Sequence, residues 1–131
     1  MANEAIQVEG PYNSHDLTVA TGTAIPQFSL LQLSDPRTGA ISDGANIFGG
    51  ITLTEKTTTD AVVDLGVCTS GYWNLKDAGA GGSAGAMVVL SGANLIRDAV
   101  AGELLTGAIV GKRMQDATAS EVTEIHVGAF A

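Results

Sequence analysis

The sequence predicts a mainly β fold: a small β-barrel or β-sandwich-like domain made of two similar three-strand units, with an extended N-terminal arm and at most one short helix. Three observations predict it. Short apolar runs alternate with turn residues from Thr21 onward, which is typical of short half-buried strands. Glycine accounts for 17 of the 131 residues, roughly twice its usual share, and favours turns over long helices. Two stretches of the chain also resemble each other at a fixed spacing.

Residues 1–20 are predicted to form an extended arm, and residues 21–131 the β-rich domain. The arm has mixed polarity, and Gly10-Pro11 interrupts any regular element there. Its apolar side chains suit β-addition to the edge of a partner's sheet. We therefore expect deletion of residues 1–15 to leave the domain folded while abolishing partner binding. The predicted contact residues are Ile6, Val8, Tyr12, Leu17 and Val19.

Short apolar runs along the domain are predicted as strands. Between them, 34–39 (SDPRTG) and 91–94 (SGAN) have turn chemistry, because proline presets its own φ and glycine supplies a positive φ. Residues 95–105 are the one segment that could hold a short helix, which Gly102 would end. The predicted strands are 28–33, 47–53, 61–67, 72–75, 86–90, 104–110 and 121–127.

Two parts of the domain repeat each other. The stretch LLQLS (30–34) matches MVVLS (87–91) at a spacing of 57 residues, and the same spacing aligns Gly50 with Gly107. A spacing of 60 places VVDLGV over VTEIHV, with apolar and acidic residues on matching faces. We expect two copies of a three-strand unit that close into one small barrel without exposed edges. Chance similarity between short Val/Leu runs is the alternative.

The glycine-rich stretch AGAGGSAGA (78–86) raises the question of a nucleotide site. A phosphate loop needs its glycines between a strand and a helix, whereas these glycines precede an apolar strand-like run. The repeat aligns the stretch with residues 21–30, which lead into the first predicted strand. The segment GAIVGKR (107–113) departs from a Walker A motif, because its spacing is one residue short and Arg113 replaces Ser or Thr. We expect both segments to be structural, without a bound cofactor.

Composition argues against several classes of partner. The chain has 14 acidic and 6 basic residues, a net charge of −8, so neither nucleic acid nor an anionic membrane is expected to bind. Cys68 is the only cysteine, which excludes an internal disulfide. The first thirty residues lack a basic segment followed by an apolar run, and no stretch approaches 18 consecutive apolar residues. Neither a secretory signal nor a membrane span is therefore expected.

No catalytic or metal site is expected either. Nucleophilic catalysis would need Cys68 or a serine beside a base, and the two histidines are His15, in the predicted arm, and His126, on the last strand. A lone cysteine is usually a small buried hydrophobe, and a Cys68-dependent hydrolase is the distant alternative. The spacings of zinc and calcium motifs are absent. Tyr72 and Trp73 are predicted to anchor the core rather than bind a ligand.

The order of several motifs resembles a known family. TGTAIPQFSLLQLSDPRTG is followed by IFGGITLTEK, GYWNL, GGSAGAMVVLSGAN, GELLTGAIVGK and a terminal TEIHVGAF. Over about residues 21–130, this order is similar to that of the head decoration proteins of tailed bacterial and archaeal viruses, the lambda-like capsid-stabilising group. The resemblance implies a mostly β subunit, commonly trimeric, on the outer capsid at local three-fold axes. It also implies an N-terminal arm that reaches the major capsid protein, and it brings no catalytic residues.

We therefore expect a virion structural protein that binds the outer surface of the assembled capsid and stabilises its lattice. Its expected partners are the major capsid protein, through the arm residues, and further copies of itself in a homotrimer. A mean hydropathy of +0.25 leaves apolar side chains for subunit contacts, predicted at Tyr72, Trp73 and Phe130. The alternative is a small β-barrel binding module of a phage tail or baseplate, or of a carbohydrate-binding type.

Overall fold

A computed structural model describes residues 5–9, 14–60, 64–105 and 107–129 of the chain. The prediction of a mainly β fold is confirmed, because strands account for most of the regular structure and the one helical element described is a short 3₁₀ turn, Ala101–Leu105. The strands are β1 (Ile6–Glu9), β2 (Ser14–Val19), β3 (Leu30–Asp35), β4 (Thr38–Ile41), β5 (Phe48–Thr52), β6 (Asp64–Cys68), β7 (Gly71–Asp77), β8 (Met87–Gly92), β9 (Leu95–Asp98), β10 (Ile109–Arg113) and β11 (Val122–Val127).

The strands form two five-stranded rings. The first, barrel 1 (residues 14–68), is closed in the order β2-β4-β3-β5-β6. The second, barrel 2 (residues 71–127), has the order β7-β11-β10-β8-β9, and β9 pairs back with β7. Strand β1 lies outside both rings and adds to β7 on the edge that β9 leaves open. A closed ring satisfies the edge hydrogen bonds of its strands, so β1 is the edge strand of the described residues.

The internal repeat is confirmed, but each copy has five strands rather than three and closes into its own ring, so the prediction that the two copies close into one small barrel is wrong. Strands β2 to β6 of barrel 1 correspond in order and pairing to β7 to β11 of barrel 2. The spacing of 57 holds for β3 with β8 and for the lead-in segments, where the bridge Ile25↔Lys56 corresponds to Gly82↔Ala117. Both lead-ins make a turn and then enter a strand, as the sequence predicts.

The other two predicted alignments are wrong, that of Gly50 by four residues and that of β6 with β11 by two, because Cys68 rather than Gly66 corresponds to His126. Leu31 pairs with Gly50 in barrel 1, and its equivalent Val88 pairs with Gly111 in barrel 2. Gly50 therefore corresponds to Gly111 instead of Gly107, because the connection between β9 and β10 is longer than that between β4 and β5. The shift is even, so it leaves the inward and outward faces of the strand unchanged.

The prediction that residues 1–20 form a free arm is wrong for residues 14–19. These residues form β2, which pairs with β6 and β4 inside barrel 1. Leu17 and Val19 are 3% and 2% exposed, because they alternate with exposed Asp16 and Thr18 and face the barrel interior. Deletion of residues 1–15 would remove β1 and the start of β2, so we now expect it to destabilise the fold.

Each barrel has its own apolar interior. In barrel 1 the interior is filled from β2, β3, β6 and the β3 lead-in, by Leu17, Val19, Ile25, Leu31, Leu65 and Val67. A larger cluster fills barrel 2 and includes the fully buried Trp73. Two residues, Thr69 and Ser70, connect the last strand of barrel 1 to the first strand of barrel 2. The described residues contain no helix long and apolar enough to cross a membrane.

The predicted turns are confirmed, but different residues supply their backbone geometry. Pro36 and Arg37 form the turn between β3 and β4, and the turn between β8 and β9 ends at Asn94. Arg37 and Asn94 take the positive φ, 54° and 59°, where glycine is expected. Leu95–Asp98 forms β9 rather than the start of a helix, and Gly102 lies inside the 3₁₀ turn.

Candidate binding surfaces and the buried ion-pair cluster

The structure separates the predicted capsid-contact residues. Leu17 and Val19 are buried in barrel 1, so the prediction that they contact a partner is wrong. Ile6 is an apolar residue on β1 that is 58% exposed, so it is accessible to a partner. The side chain of Val8 and all of Tyr12 lie outside the described part of the chain.

The predicted subunit-contact residues are divided in the same way. Trp73 is fully buried, its Nε1 donates a hydrogen bond to the Ser70 carbonyl oxygen at 3.0 Å, and its ring centroid lies 5.7 Å from that of Phe28. It is a core anchor, and the prediction that it lies on a subunit surface is wrong. Tyr72 is half-buried and stacks on His126, with ring centroids 4.5 Å apart. Phe130 lies outside the described residues.

The glycine-rich stretch uses its backbone N–H groups internally. Gly79 and Gly81 both donate to Oδ2 of Asp77, at 2.8 and 2.7 Å. Gly82 donates to the Ala117 carbonyl oxygen at 3.0 Å, and Gly85 to that of Arg113 at 2.8 Å. A phosphate loop instead turns such groups toward an anion. Here a carboxylate of the protein itself receives two of them, and the stretch leads into strand β8.

Beneath this stretch lies an ion-pair cluster that sequence reasoning missed. Arg113 donates from Nε to Asp98 Oδ1 and from Nη2 to Asp77 Oδ1, each at 2.7 Å. The side chains of Arg113 and Asp77 are 0% and 1% exposed, whereas Asp98 reaches solvent. The available signal was the alternation of β7, which places Asp77 in register with the inward-facing Trp73 and Leu75.

The cluster determines the protonation of Asp77 and the residues that fit beside it. Burial opposes ionisation of the Asp77 carboxyl, but hydrogen bonds from Arg113, Gly81 and Gly79 outweigh that effect and lower its pKa. A Cβ at position 82 would lie 2.5 Å from Asp98 Oδ1 and 2.6 Å from Arg113 Nε. Glycine is required at 82 because the ion pair occupies the space of a side chain.

The cysteine and the histidine considered for catalysis have other contacts. Cys68 is fully buried, and burial raises the pKa of its thiol. Its Sγ donates to the Ser70 carbonyl oxygen at 3.0 Å, while the ring of His126 stacks on Tyr72. Within the described residues, no group of three or more His, Cys, Asp or Glu side chains could hold a metal ion.

Apolar side chains reach the surface on both barrels. At the β3–β4 turn, a hollow of about 380 Å³ is lined by Leu33, Ser34, Asp35, Pro36 and Ile47. Further exposed apolar residues are Val100, Leu104, Met114 and Val122. Within the part of the chain that the structure describes, these residues and Ile6 are the exposed apolar side chains available for contact with another protein.

No protein-family model matches the chain. A search of curated proteins likewise finds no match.

Proposed function

We propose that this protein is a virion structural protein that binds the outer surface of an assembled viral capsid and stabilises its lattice, as a trimer at local three-fold sites. The proposal starts from the resemblance of residues 21–130 to head decoration proteins of tailed viruses. Its partners are then the major capsid protein and further copies of the chain. It requires no catalytic group, cofactor or nucleic acid.

The structural observation that carries the proposal is the open edge of β1. Strand β1 pairs with β7 alone among the described strands, through Ile6↔Asn74 and Gln7↔Trp73. An unpaired strand edge can accept a strand of another protein through main-chain hydrogen bonds. Ile6 projects from this strand with 58% exposure, so an apolar contact can accompany the strand pairing. The proposed capsid contact therefore involves the edge strand β1 rather than the whole of residues 1–20.

The net charge of the protein and its closed rings both suit a protein that is packed at high density, in many copies, on the surface of a shell. A net charge of −8 keeps the outer faces well hydrated. Because the strands of both barrels pair around closed rings, copies at high local density offer few edges for uncontrolled strand pairing. A subunit that binds only the assembled shell stabilises it by its own binding free energy. A trimer multiplies weak contacts through a high effective concentration.

Binding to shells assembled without this chain tests the proposal. We expect the purified protein to sediment with expanded shells and to raise their resistance to denaturant. Ile6→Asp should weaken binding by about tenfold or more, because burial of one isoleucine contributes roughly 1.5–3 kcal/mol. Its melting temperature should stay near that of the wild type, since the side chain is exposed.

Val122→Asp is the matched control, because Val122 is 51% exposed and lies on β11, away from the open edge. It should bind shells like the wild type. Failure of the wild-type protein to bind shells would overturn the proposal. Binding to a glycan array without binding to shells would support the carbohydrate-binding alternative instead.

A further inference from the structure

The end of barrel 2 that holds the ion pairs contains two buried polar atoms that the other described residues leave without a hydrogen bond. They are Nη1 of Arg113 and Oγ1 of Thr123. The two residues are 1% and 3% exposed, so neither side chain faces bulk solvent. Buried polar atoms in folded proteins are nearly always hydrogen-bonded, either to the protein or to an ordered water. These two atoms therefore indicate a further partner at this end of the ring.

The strand order brings the two atoms to the same space. Strand β11 lies between β7 and β10 in barrel 2. Arg113 on β10 reaches Asp77 on β7, where its Nη2 donates to Oδ1 at 2.7 Å, so its side chain crosses the inward face of β11. Arg113 pairs with Ile125, and Thr123 is the next inward-facing residue of β11 toward the end that carries Asp77. The guanidinium therefore lies over Thr123, and Nη1 and Oγ1 share one enclosed space.

Barrel 1 has a different pair of side chains at the equivalent positions. Thr52 corresponds to Arg113, and Leu65 corresponds to Thr123. The Thr52 hydroxyl already bonds to a backbone N–H at 2.8 Å and to a backbone carbonyl oxygen at 3.1 Å. Leu65 is 3% exposed and has no polar side-chain atom to satisfy. In barrel 2 a hydroxyl thus occupies a position where barrel 1 uses an apolar side chain, and it does so beside a guanidinium.

The surrounding groups determine which ligand can bind between the two atoms. Arg113 Nη1 can only donate a hydrogen bond, so the ligand must accept one, which excludes a metal ion. One cation faces the two carboxylates of Asp77 and Asp98, and this excess of negative charge opposes an anion. The space is narrow, because a Cβ at Gly82 would already lie 2.6 Å from Arg113 Nε. A small neutral molecule that both accepts and donates meets these conditions, and water is such a molecule.

We infer that this end of barrel 2 is a binding site for one ordered water molecule, held between Arg113 and Thr123. The water oxygen accepts hydrogen bonds from Arg113 Nη1 and from the Thr123 hydroxyl. One of its protons is donated to the carboxylate of Asp77. That carboxylate can accept about four hydrogen bonds, and the described residues supply three, from Arg113 Nη2, Gly79 and Gly81. Three partners are typical of a buried water, and the inference does not depend on the proposed function.

The sign of the stability change in Thr123→Val tests the inference. Valine has nearly the same shape as threonine but lacks the hydroxyl. With the water bound, the substitution removes one of its three partners, and we expect the folding equilibrium constant to fall about threefold to tenfold. Without the water, the substitution removes an unpaired buried hydroxyl, so stability should rise. Urea titrations measure the difference, and a rise or an unchanged stability would overturn the inference.

Magnetic relaxation dispersion of the water oxygen gives a direct second readout, because it counts the water molecules that exchange slowly with the solvent. We expect Thr123→Val to hold one slowly exchanging water fewer than the wild type. Thr123→Ser keeps the hydroxyl and should keep the wild-type count. Thr52→Val is the matched control in barrel 1, because its hydroxyl bonds directly to backbone groups, and it should also keep that count. Equal counts in the wild type and Thr123→Val, or the same loss in Thr52→Val, would overturn the inference.

Small ions test the argument from charge. A chloride ion could accept from Arg113 Nη1, and an ammonium ion could donate to the Asp77 carboxylate, so these are the competing occupants of the site. Titration with sodium chloride and with ammonium sulfate, each against sodium sulfate at equal ionic strength, should leave the melting temperature of the wild type no different from that of Thr123→Val in its response. A saturable rise in the wild type alone would show that an ion binds instead of water and would overturn the inference.

Discussion

The two barrels share one strand order but fill the same end of the ring with opposite chemistry. In barrel 1 the four positions at that end are apolar apart from one hydroxyl, and the buried Lys56 beside Ile25 donates to the backbone carbonyl of Thr23, whereas in barrel 2 the four positions hold a buried cation between two carboxylates. The four equivalent positions are Ile25, Val19, Ile41 and Thr52 in barrel 1, and Gly82, Asp77, Asp98 and Arg113 in barrel 2.

The difference shows that the side chains at the four positions depend on one another, because they share one volume inside the ring. Where position 25 carries isoleucine, the neighbouring β5 position carries the small Thr52, which bonds to Ser29 N–H at 2.8 Å. Where the long Arg113 enters the interior, the equivalent of Ile25 is Gly82, because no Cβ fits beside the guanidinium. The topology is independent of the chemistry inside it, provided that volume and hydrogen bonds are balanced together.

The largest expected effect comes from removal of the buried cation. Arg113→Leu leaves the carboxylate of Asp77 buried without its partner, and we expect the free energy of unfolding to fall by about 3–5 kcal/mol. Thr52→Val in barrel 1 is the matched change and should cost only about 1–2 kcal/mol. Urea titrations of both variants measure the difference. Equal losses would contradict the view that the two ends are stabilised differently.

A smaller effect is expected from a side chain at the glycine beside the ion pair. Gly82→Val should lower the free energy of unfolding by about 2–3 kcal/mol, because it forces Asp98 and Arg113 apart. Gly85→Ala is the control: its Cβ meets open space, but its φ of +91° strains the backbone, so we expect about 1 kcal/mol. ATP and phosphate should leave both melting temperatures unchanged, whereas a saturable shift would indicate a ligand site in this stretch.

Acid should weaken barrel 2 through Asp77. Its pKa in the folded state is lowered below the unfolded value of about 3.9, so its ionisation contributes stability above that value. The contribution is lost as the pH falls through the folded-state pKa. Asp77→Asn lacks this contribution, so its stability difference from the wild type should shrink below about pH 4. A difference that stays constant between pH 7 and pH 2 would contradict this assignment.

The smallest net change is expected from the most extensive replacement. A variant with Gly82→Ile, Asp77→Val, Asp98→Ile and Arg113→Thr gives barrel 2 the four residues of barrel 1. We expect a net loss of about 2 kcal/mol, because well-packed apolar residues replace buried ion pairs with little loss and the main remaining cost is the buried Gly81 N–H, which loses Asp77 as its acceptor. Calorimetry measures this. A loss larger than that of Arg113→Leu alone would show that the four positions are not interchangeable as a set.

The sequence predicted most strands of five or more residues, placed β10 too early at 104–110, where a 3₁₀ turn precedes it, and missed the short ones. Strands β4 and β9 have four residues each, too few to show a period, and LIRD at β9 is also compatible with a helix. In β2 the clear alternation covers only Leu17 to Val19. Its partners, β4 and β6, follow later in the chain, so the strand could not be distinguished from a free arm.

The repeat was predictable only where turns fix the register. The β3–β4 and β8–β9 turns determine the spacing of 57, whereas Gly107 and Gly111 lie four residues apart in the same apolar run. An even shift preserves the alternation, so pattern alone cannot choose between them. The ion-pair cluster was missed because Asp77, Asp98 and Arg113 meet only after four strands, β7, β9, β8 and β10, have paired around the ring.

Strand β1 also imposes an order on the folding of the chain. It precedes barrel 1 in sequence, yet its partner β7 begins only after barrel 1 ends at Cys68. During synthesis all strands of barrel 1 can pair before β7 has been made, since N-terminal units fold first. Strand β1 must wait and then close a loop that spans all of barrel 1, which is a slow, non-local step. Amide hydrogen exchange should therefore be fastest in β1 among the strands, which makes the edge offered to a partner the last part of the fold to form and the first to open.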